Sequence, residues 1–227
     1  MTKLCKQAAR LAGDKVTENI KGDGNDLVTN IDLAIEKFIV EKLQKQYPTF
    51  KIISEEFNPT TQVEQDYFVI DPIDGTVNFA AGLPFWGIQI AMIKGGKTIA
   101  SAIYLPKLKE MYHADPSGAY CNRKKIHVNN KPIERSLFVL YKASPDFKRD
   151  RYFRKFHSSA VELSWLAAGI IGGHVDYDSC IWDFAPGKYL VEQAGGVTYY
   201  NYPNGIDGVS ASAHTKEFLD LLLKETE

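Results

Sequence analysis

From Ile31 to Tyr47 the apolar residues Ile31, Ile35, Phe38, Ile39 and Leu43 recur at helical spacing, with Glu36, Lys37, Glu41 and Lys45 mostly outward. That pattern predicts an amphipathic helix. Residues 2–19 are weakly helical, and Gly22-Asp23-Gly24-Asn25 reads as a loop. Phe50 to Ile53 is a short strand that delivers Ser54-Glu55-Glu56 at its end, and Tyr67 to Ile70 is a buried strand ended by Asp71. Trp86 to Ile93, Thr98 to Tyr104 and Glu110 to His113 form a predicted meander, with Lys94-Gly95-Gly96-Lys97 as its first hairpin turn.

The second half alternates strand and helix. Leu137 to Leu140 is a strand, and Ala160 to Ile171 a helix closed by Gly172-Gly173. His174 to Tyr177 is a strand, and a helix from about Trp182 ends at Gly195-Gly196. Val197 to Tyr200 and Gly208 to Ala211 are short strands, and a last helix runs from about Thr215 to Lys224. The shift near Lys131-Pro132 divides residues 1–131 from 132–227, two lobes of a single domain, because no polar linker separates them.

Composition narrows the classes. A chain of 227 residues buries a full core. Its net charge of −1 offers no basic excess to displace counterions from a polyanion, so nucleic acid is not an expected partner. No run approaches the roughly 18 apolar residues of a membrane span, and the N-terminus lacks a signal-peptide core. Cys5, Cys121 and Cys180 are far apart and without CxxC spacing, which predicts reduced thiols in the cytoplasm and no zinc site.

The chemistry concentrates in Asp71-Pro72-Ile73-Asp74-Gly75-Thr76-Val77-Asn78-Phe79. Two carboxylates three residues apart converge at a strand end, just before a Gly-Thr pair and a helix start. Carboxylate oxygens suit a hard divalent cation, and free backbone N–H groups at a helix start suit a phosphate. Glu55 sits at another strand end, and Asp183 in Ile181 to Gly187 opens a helix, where Pro186 falls in the first turn. Alone, Asp183 reads as a helix cap, Glu55-Glu56 as solvated charge, and Asp-Pro or Asp-Gly as turns. A turn requires neither two carboxylates nor the Gly-Thr after them, so the combination reads as a metal-assisted phosphate site. The five histidines show no ligand spacing, the three tryptophans read as packing residues, and Lys148 to Lys155 carries a basic cluster that reads as a solvated face.

The nonapeptide resembles the DPIDGTxNF signature of the inositol monophosphatase family, the Mg²⁺-dependent, lithium-sensitive phosphatases related to fructose-1,6-bisphosphatases. Ile181 to Gly187 resembles the family's WDxAxG signature, Ser158 to Val161 its small-residue segment before a helix, and Asp26 to Asp32 its DxVTxxD element. The resemblance implies an α/β fold (α+β mixed), a layered αβαβα sandwich of the sugar-phosphatase type. It implies that Glu55, Asp71 and the carbonyl of Ile73 hold one Mg²⁺, that Asp71, Asp74 and Asp183 hold a second, and that Glu55 touches a third. It further implies that Asp32 and Thr76 orient and help deprotonate the attacking water, with Glu55 also catalytic, and that Gly75, Thr76, Ala160 and Asp176 meet the substrate.

Three departures bear on specificity. The first helix and the stretch between Tyr141 and His157 are short, Ser54 stands where a glycine usually precedes the two glutamates, and Asp176 stands where inositol-specific members carry a glutamate. The expected activity is Mg²⁺-dependent hydrolysis of a small phosphorylated metabolite, inositol or sugar phosphate, by a cytoplasmic homodimer. Fructose-1,6-bisphosphate, histidinol phosphate and 3′-phosphoadenosine 5′-phosphate remain alternative substrates, and a regulatory protein that has lost catalysis is the alternative from another class.

Overall fold

The computed structural model describes residues 1–13, 18–21, 26–59, 65–140 and 152–224. The loop expected at Gly22 to Asn25 and the basic residues Lys148 to Arg151 lie outside them.

Two sheets carry the architecture. The larger has seven strands in chain order: β3 (Lys51–Ser54), β4 (Tyr67–Asp74), β5 (Gly87–Lys94), β6 (Lys97–Leu105), β7 (Glu110–Asp115), β8 (Gly118–Cys121) and β9 (Lys124–Lys125). Only β3 and β4 pair in parallel; the rest is a meander. Its first turn has Gly95 and Gly96 at φ +57° and +71°, the left-handed pair that a two-residue hairpin favours. The smaller sheet orders β10 (Leu137–Leu140), β11 (Tyr152–Arg154), β12 (Gly173–Cys180), β13 (Val197–Asn201) and β14 (Asp207–Ala213) as β11-β10-β12-β14-β13.

The layers follow from alternation along the strands. On β6, Ile103 and Leu105 face one core and Ala102 and Tyr104 the other. The second core is closed by α1 (Thr2–Ala8) and α2 (Asn30–Gln46). Between the sheets lie α4 (Ser159–Ala167) and α5 (Ile181–Gln193), and α6 (Lys216–Lys224) covers the outer face of the smaller sheet. The short α3 (Thr76–Ala80) follows β4. Helix pair, sheet, helix pair, sheet and helix make the expected αβαβα sandwich.

Several boundaries differ from expectation. Residues 18–21 pair as β1 (Glu18–Lys21) with β2 (Asp26–Thr29), so helix ends before that point. The helix expected to close at Gly172-Gly173 stops earlier, at Gly169 with φ +73°. There Gly169 N donates to Leu166 O and Ile170 N to Trp165 O, a paired C-terminal closure that satisfies two carbonyls, and Gly173 instead begins β12. The helix ending at Gly195-Gly196 closes by the same pattern, as expected.

Candidate active site

β4 delivers two acids because its ladder slips. Asp71 pairs with Gln89 and Asp74 with Gly87, leaving a bulge between them. Pro72 lies in that bulge, where its missing N–H leaves no ladder bond unmade. The strand therefore runs on through Asp74, four residues beyond the expected end at Ile70. Gly75 then turns the chain at φ +86°, where an added Cβ would come within 2.8 Å of Phe85 O, so glycine is required twice over. Asn78 ties the turn to the neighbouring loop, its Nδ2 donating to Phe85 O at 2.8 Å and to Phe156 O at 2.6 Å.

Asp183 arrives from the first turn of α5, and its Oδ2 accepts from Cys180 N at 2.8 Å. The helix begins at Ile181, so Pro186 is its sixth residue and not part of the first turn. The carbonyl of Trp182 consequently loses the amide it would have accepted from. The adjacent carbonyl, of Asp183, accepts from Gln89 Nε2 at 3.2 Å. One carboxylate oxygen from each of Asp71, Asp74 and Asp183 lies within 4.8 Å of the others.

These acids and Glu55 open onto a cavity of about 760 Å³ that Ile73, Gly75, Thr76, His157, Asp178 and Trp182 also line, and to which no lysine or arginine among the described residues contributes. Burial raises the Asp71 carboxyl well above its ordinary range, and Glu55, Asp74 and Asp183 push the same way. Asp74 is pushed up to about 8, first by burial and then by Asp183, against hydrogen bonds from Ser158 and Ala160. Asp71 Oδ1 is buried without a hydrogen-bond partner among the described residues. Crowded oxygens of one sign, one of them orphaned, fit a hard divalent cation, whose charge would invert these shifts.

Asp32 is the third residue of α2, in a reciprocal cap with Thr29: Thr29 N donates to Asp32 Oδ2 at 3.0 Å, and Asp32 N to Thr29 Oγ1 at 3.3 Å. Its Oδ1 accepts from Thr76 Oγ1 at 3.2 Å, while that hydroxyl also lies 3.0 Å from Ile73 O. Burial raises the Asp32 carboxyl, against the bonds from Thr29 and Thr76.

The structure thus gathers Glu55, Asp71, Ile73, Asp74, Gly75, Thr76 and Asp183 around one cavity, with Asp32 behind Thr76. Two expected substrate contacts are placed elsewhere. Ala160 does not line the cavity; its amide donates to Asp74 Oδ2, beside Ser158 Oγ, and Ser159 N donates to Asp74 Oδ1 at 3.1 Å. Asp176 is also absent from the lining; its Oδ1 accepts from Asp178 N at 3.1 Å, and Asp178 is the acid that faces the cavity.

Two supporting residues escaped the sequence reading. Glu36, expected outward, is fully buried and accepts from Ser54 Oγ, Glu56 N and Phe57 N, clamping the turn that presents Glu55. The serine that replaces a glycine there supplies one of those bonds. Gln89 is buried mid-strand, with Nε2 3.4 Å from Asp71 Oδ2 as well as bonded to Asp183 O. A lone amide within Gly87-Ile88-Gln89-Ile90 was its available signal.

The Inositol monophosphatase family profile matches residues 1–225. Nus factor SuhB of Escherichia coli is 32% identical, over 87% of this chain and 84% of that protein. Inositol-1-monophosphatase of Bacillus subtilis is 31% identical, over 85% and 82%. The solved structure of the Thermotoga maritima IMPase superposes with a TM-score of 0.85 at 26% identity, covering 99% of this chain and 96% of that one. By fold, by signature and by sequence over nearly its whole length, the chain belongs to the inositol monophosphatase family.

Proposed function

We propose that the chain is a Mg²⁺-dependent phosphatase acting, as a single domain with lobes 1–131 and 132–227, on a small phosphate monoester. The observation that carries the reading is the acidic triad: three carboxylates within 4.8 Å, open to a cavity that no lysine or arginine among the described residues lines. Glu55, Asp71 and the Ile73 carbonyl would hold one ion, Asp71, Asp74 and Asp183 a second, and Glu55 would touch a third. Bound there, such ions neutralise the phosphate dianion, acidify water and stabilise the leaving oxygen.

The chain's own groups supply orientation. Thr76 Oγ1 accepts from the attacking water while donating toward Asp32, whose raised carboxyl is a competent proton acceptor. The Gly75 and Thr76 amides face the phosphoryl oxygens, which carry the shifting charge. Water attacks phosphorus directly, so no phosphoryl-enzyme forms.

Inositol or sugar phosphate is the preferred substrate class, in keeping with the name of the Bacillus subtilis relative. Lithium inhibition and a homodimer belong to the same reading and rest on family membership, and a cytoplasmic location rests on the cysteine pattern of the sequence. Glu55, Asp71, Asp74, Thr76 and Asp183 are all intact, which disfavours a catalytically retired protein. Phosphate release is to be screened across phosphorylated metabolites in Mg²⁺ and in EDTA. Turnover of at least one monoester, lost in EDTA and restored by Mg²⁺, is expected; none on any substrate would overturn the reading.

A further inference from the structure

A second cavity, of about 790 Å³, lies where α1 and the helical turn after it meet β7 and the β8–β9 hairpin. It shares no lining residue with the acidic site and has the opposite chemistry. Lys3, Lys6, Arg10 and Arg123 line it, and no carboxylate among the described residues does. Lys3, Lys6 and Arg10 follow at intervals of three and four, which puts them on one helical face. Among the described residues none of the four makes an ion pair, although Lys6 Nζ lies 5.7 Å over the Tyr104 ring. Four exposed like charges face one hollow in a chain of net charge −1, an arrangement that attracts an anion.

The placement of Arg123 is the second observation. Asn122 and Arg123 form the two-residue turn between β8 and β9, at φ +46° and +70°. Glycine is the residue that turn favours at its second position, and a long side chain there is strained. Asn122 holds the turn: its Nδ2 donates to Lys109 O at 3.1 Å, its Oδ1 accepts from Met111 N at 3.1 Å, and its N donates to Met111 O at 2.9 Å. A strained arginine is thus fixed at the wall of a cationic hollow.

We propose that this cavity binds a small organic anion carrying two or more phosphoryl groups. Four cationic side chains line the hollow, twice the charge that one phosphate dianion would answer. Arginine forks suit phosphate oxygens, and the volume is that of a small-molecule site. Gln7 and Asn122 add neutral donors, and Met111 an apolar wall for the organic part.

The test is calorimetric titration of the full chain with tripolyphosphate at low salt in EDTA, where the acidic site has no metal with which to attract an anion. Saturable binding tighter than about 1 mM is expected, weakened about tenfold or more by Arg10→Ala and by Arg123→Gly. Arg123→Gly should also raise Tm, because glycine relaxes the turn; a merely structural arginine would not give loss of binding together with a gain in stability. Unchanged affinity in the Arg10→Ala/Arg123→Gly double variant would overturn the assignment. So would orthophosphate binding as tightly as tripolyphosphate, or a single-stranded RNA decamer binding more tightly than either.

Discussion

Replacing Asp71 by asparagine is expected to abolish hydrolysis while making the metal-free protein more stable. The ligand oxygens of Asp71, Asp74 and Asp183 lie within 4.8 Å of one another. At an effective dielectric constant of about 20, unit charges at that separation repel by about 3 kcal/mol. The wild type relieves part of this by keeping protons, as the raised Asp71 and Asp74 carboxyls show. Holding a proton at pH 8 on a group that ionises near pH 4 when unfolded costs about 5 kcal/mol, which caps the gain from removing one charge. Asparagine keeps an oxygen for Gln89 and offers its amide to the remaining carboxylates. A gain of about 3 kcal/mol raises Tm by roughly 6–12 °C for a chain of this size.

The pH dependence fixes the sign. Both acids have raised folded-state values, so their contribution to stability is complete below the unfolded carboxyl range, near pH 4, and is lost as pH rises through the folded value, about 8 for Asp74. Metal-free wild type should therefore weaken between pH 5 and pH 8, and the variant's advantage should be widest at pH 8. Thermal melts in EDTA at both pH values, with phosphate release in Mg²⁺ alongside, measure both halves of the claim. A variant melting at or below wild type at pH 8 would refute the like-charge account, and retained turnover would refute the role given to Asp71.

Thr76→Ala should lower kcat by roughly 10²-fold with Mg²⁺ dependence unchanged; single turnovers in ¹⁸O water should place one solvent oxygen in the phosphate, and a trapped phosphoprotein would exclude direct attack. Asp178→Ala should change kcat/KM ratios among substrates several-fold, and Asp176→Ala should do so more weakly, through the amide it anchors; equal loss on every substrate, reversed by excess Mg²⁺, would instead put these acids in the metal site. His174→Phe should cost about 3 kcal/mol or more in urea unfolding, because it leaves Glu162 buried without the ring nitrogen now 3.1 Å from its Oε2. Burial lowers the His174 value but Glu162 outweighs it, so the net shift is upward. The stability this pair adds is then full below the unfolded histidine range, near pH 6.5, and fades as pH rises through the higher folded value; a cost independent of pH would show that the pair is not charged.

What the sequence disclosed was whatever local backbone chemistry enforces. Gly95 and Gly96 announced a hairpin because both must take positive φ, and Gly75, beside the acidic cluster, takes positive φ as well. Glu36 was misread because a glutamate on a helix is usually solvated, and its partners lie 18 to 21 residues away on a turn whose position only the fold supplies. Its spacing of four from Asp32, and its place beside the buried Ile35 and Ile39, were the only local hints. Gly169 and Gly172-Gly173 are both legitimate stops, and pattern alone does not rank them. Ala160 was expected at the substrate; that its amide donates to Asp74, 86 residues earlier, had no local signal.

That capture explains how a cluster of like charges stays in place within a stable fold. Asp74 accepts from Ser158, Ser159 and Ala160 at the start of α4, Asp183 from the Cys180 amide at the start of α5, and Asp71 faces Gln89 from the next strand. Asp71 and Asp74 are thereby aimed by donors from elements other than their own strand and Asp183 by the cap of its own helix, and four of those five donors sit at helix starts, whose dipoles favour negative charge. Local rules of burial are broken where the chemistry needs them broken, and the scaffold compensates from both sheets and the helices between them. Asp178, by contrast, is exposed and among the described residues has only the bond from its amide to Asp176 Oδ1. On the proposed function, the buried, multiply bonded acids are the part of the site that should not vary without loss of the metals. On the same proposal, a change of residue at the exposed rim acid should alter which phosphate monoester fits while leaving the hydrolytic step intact.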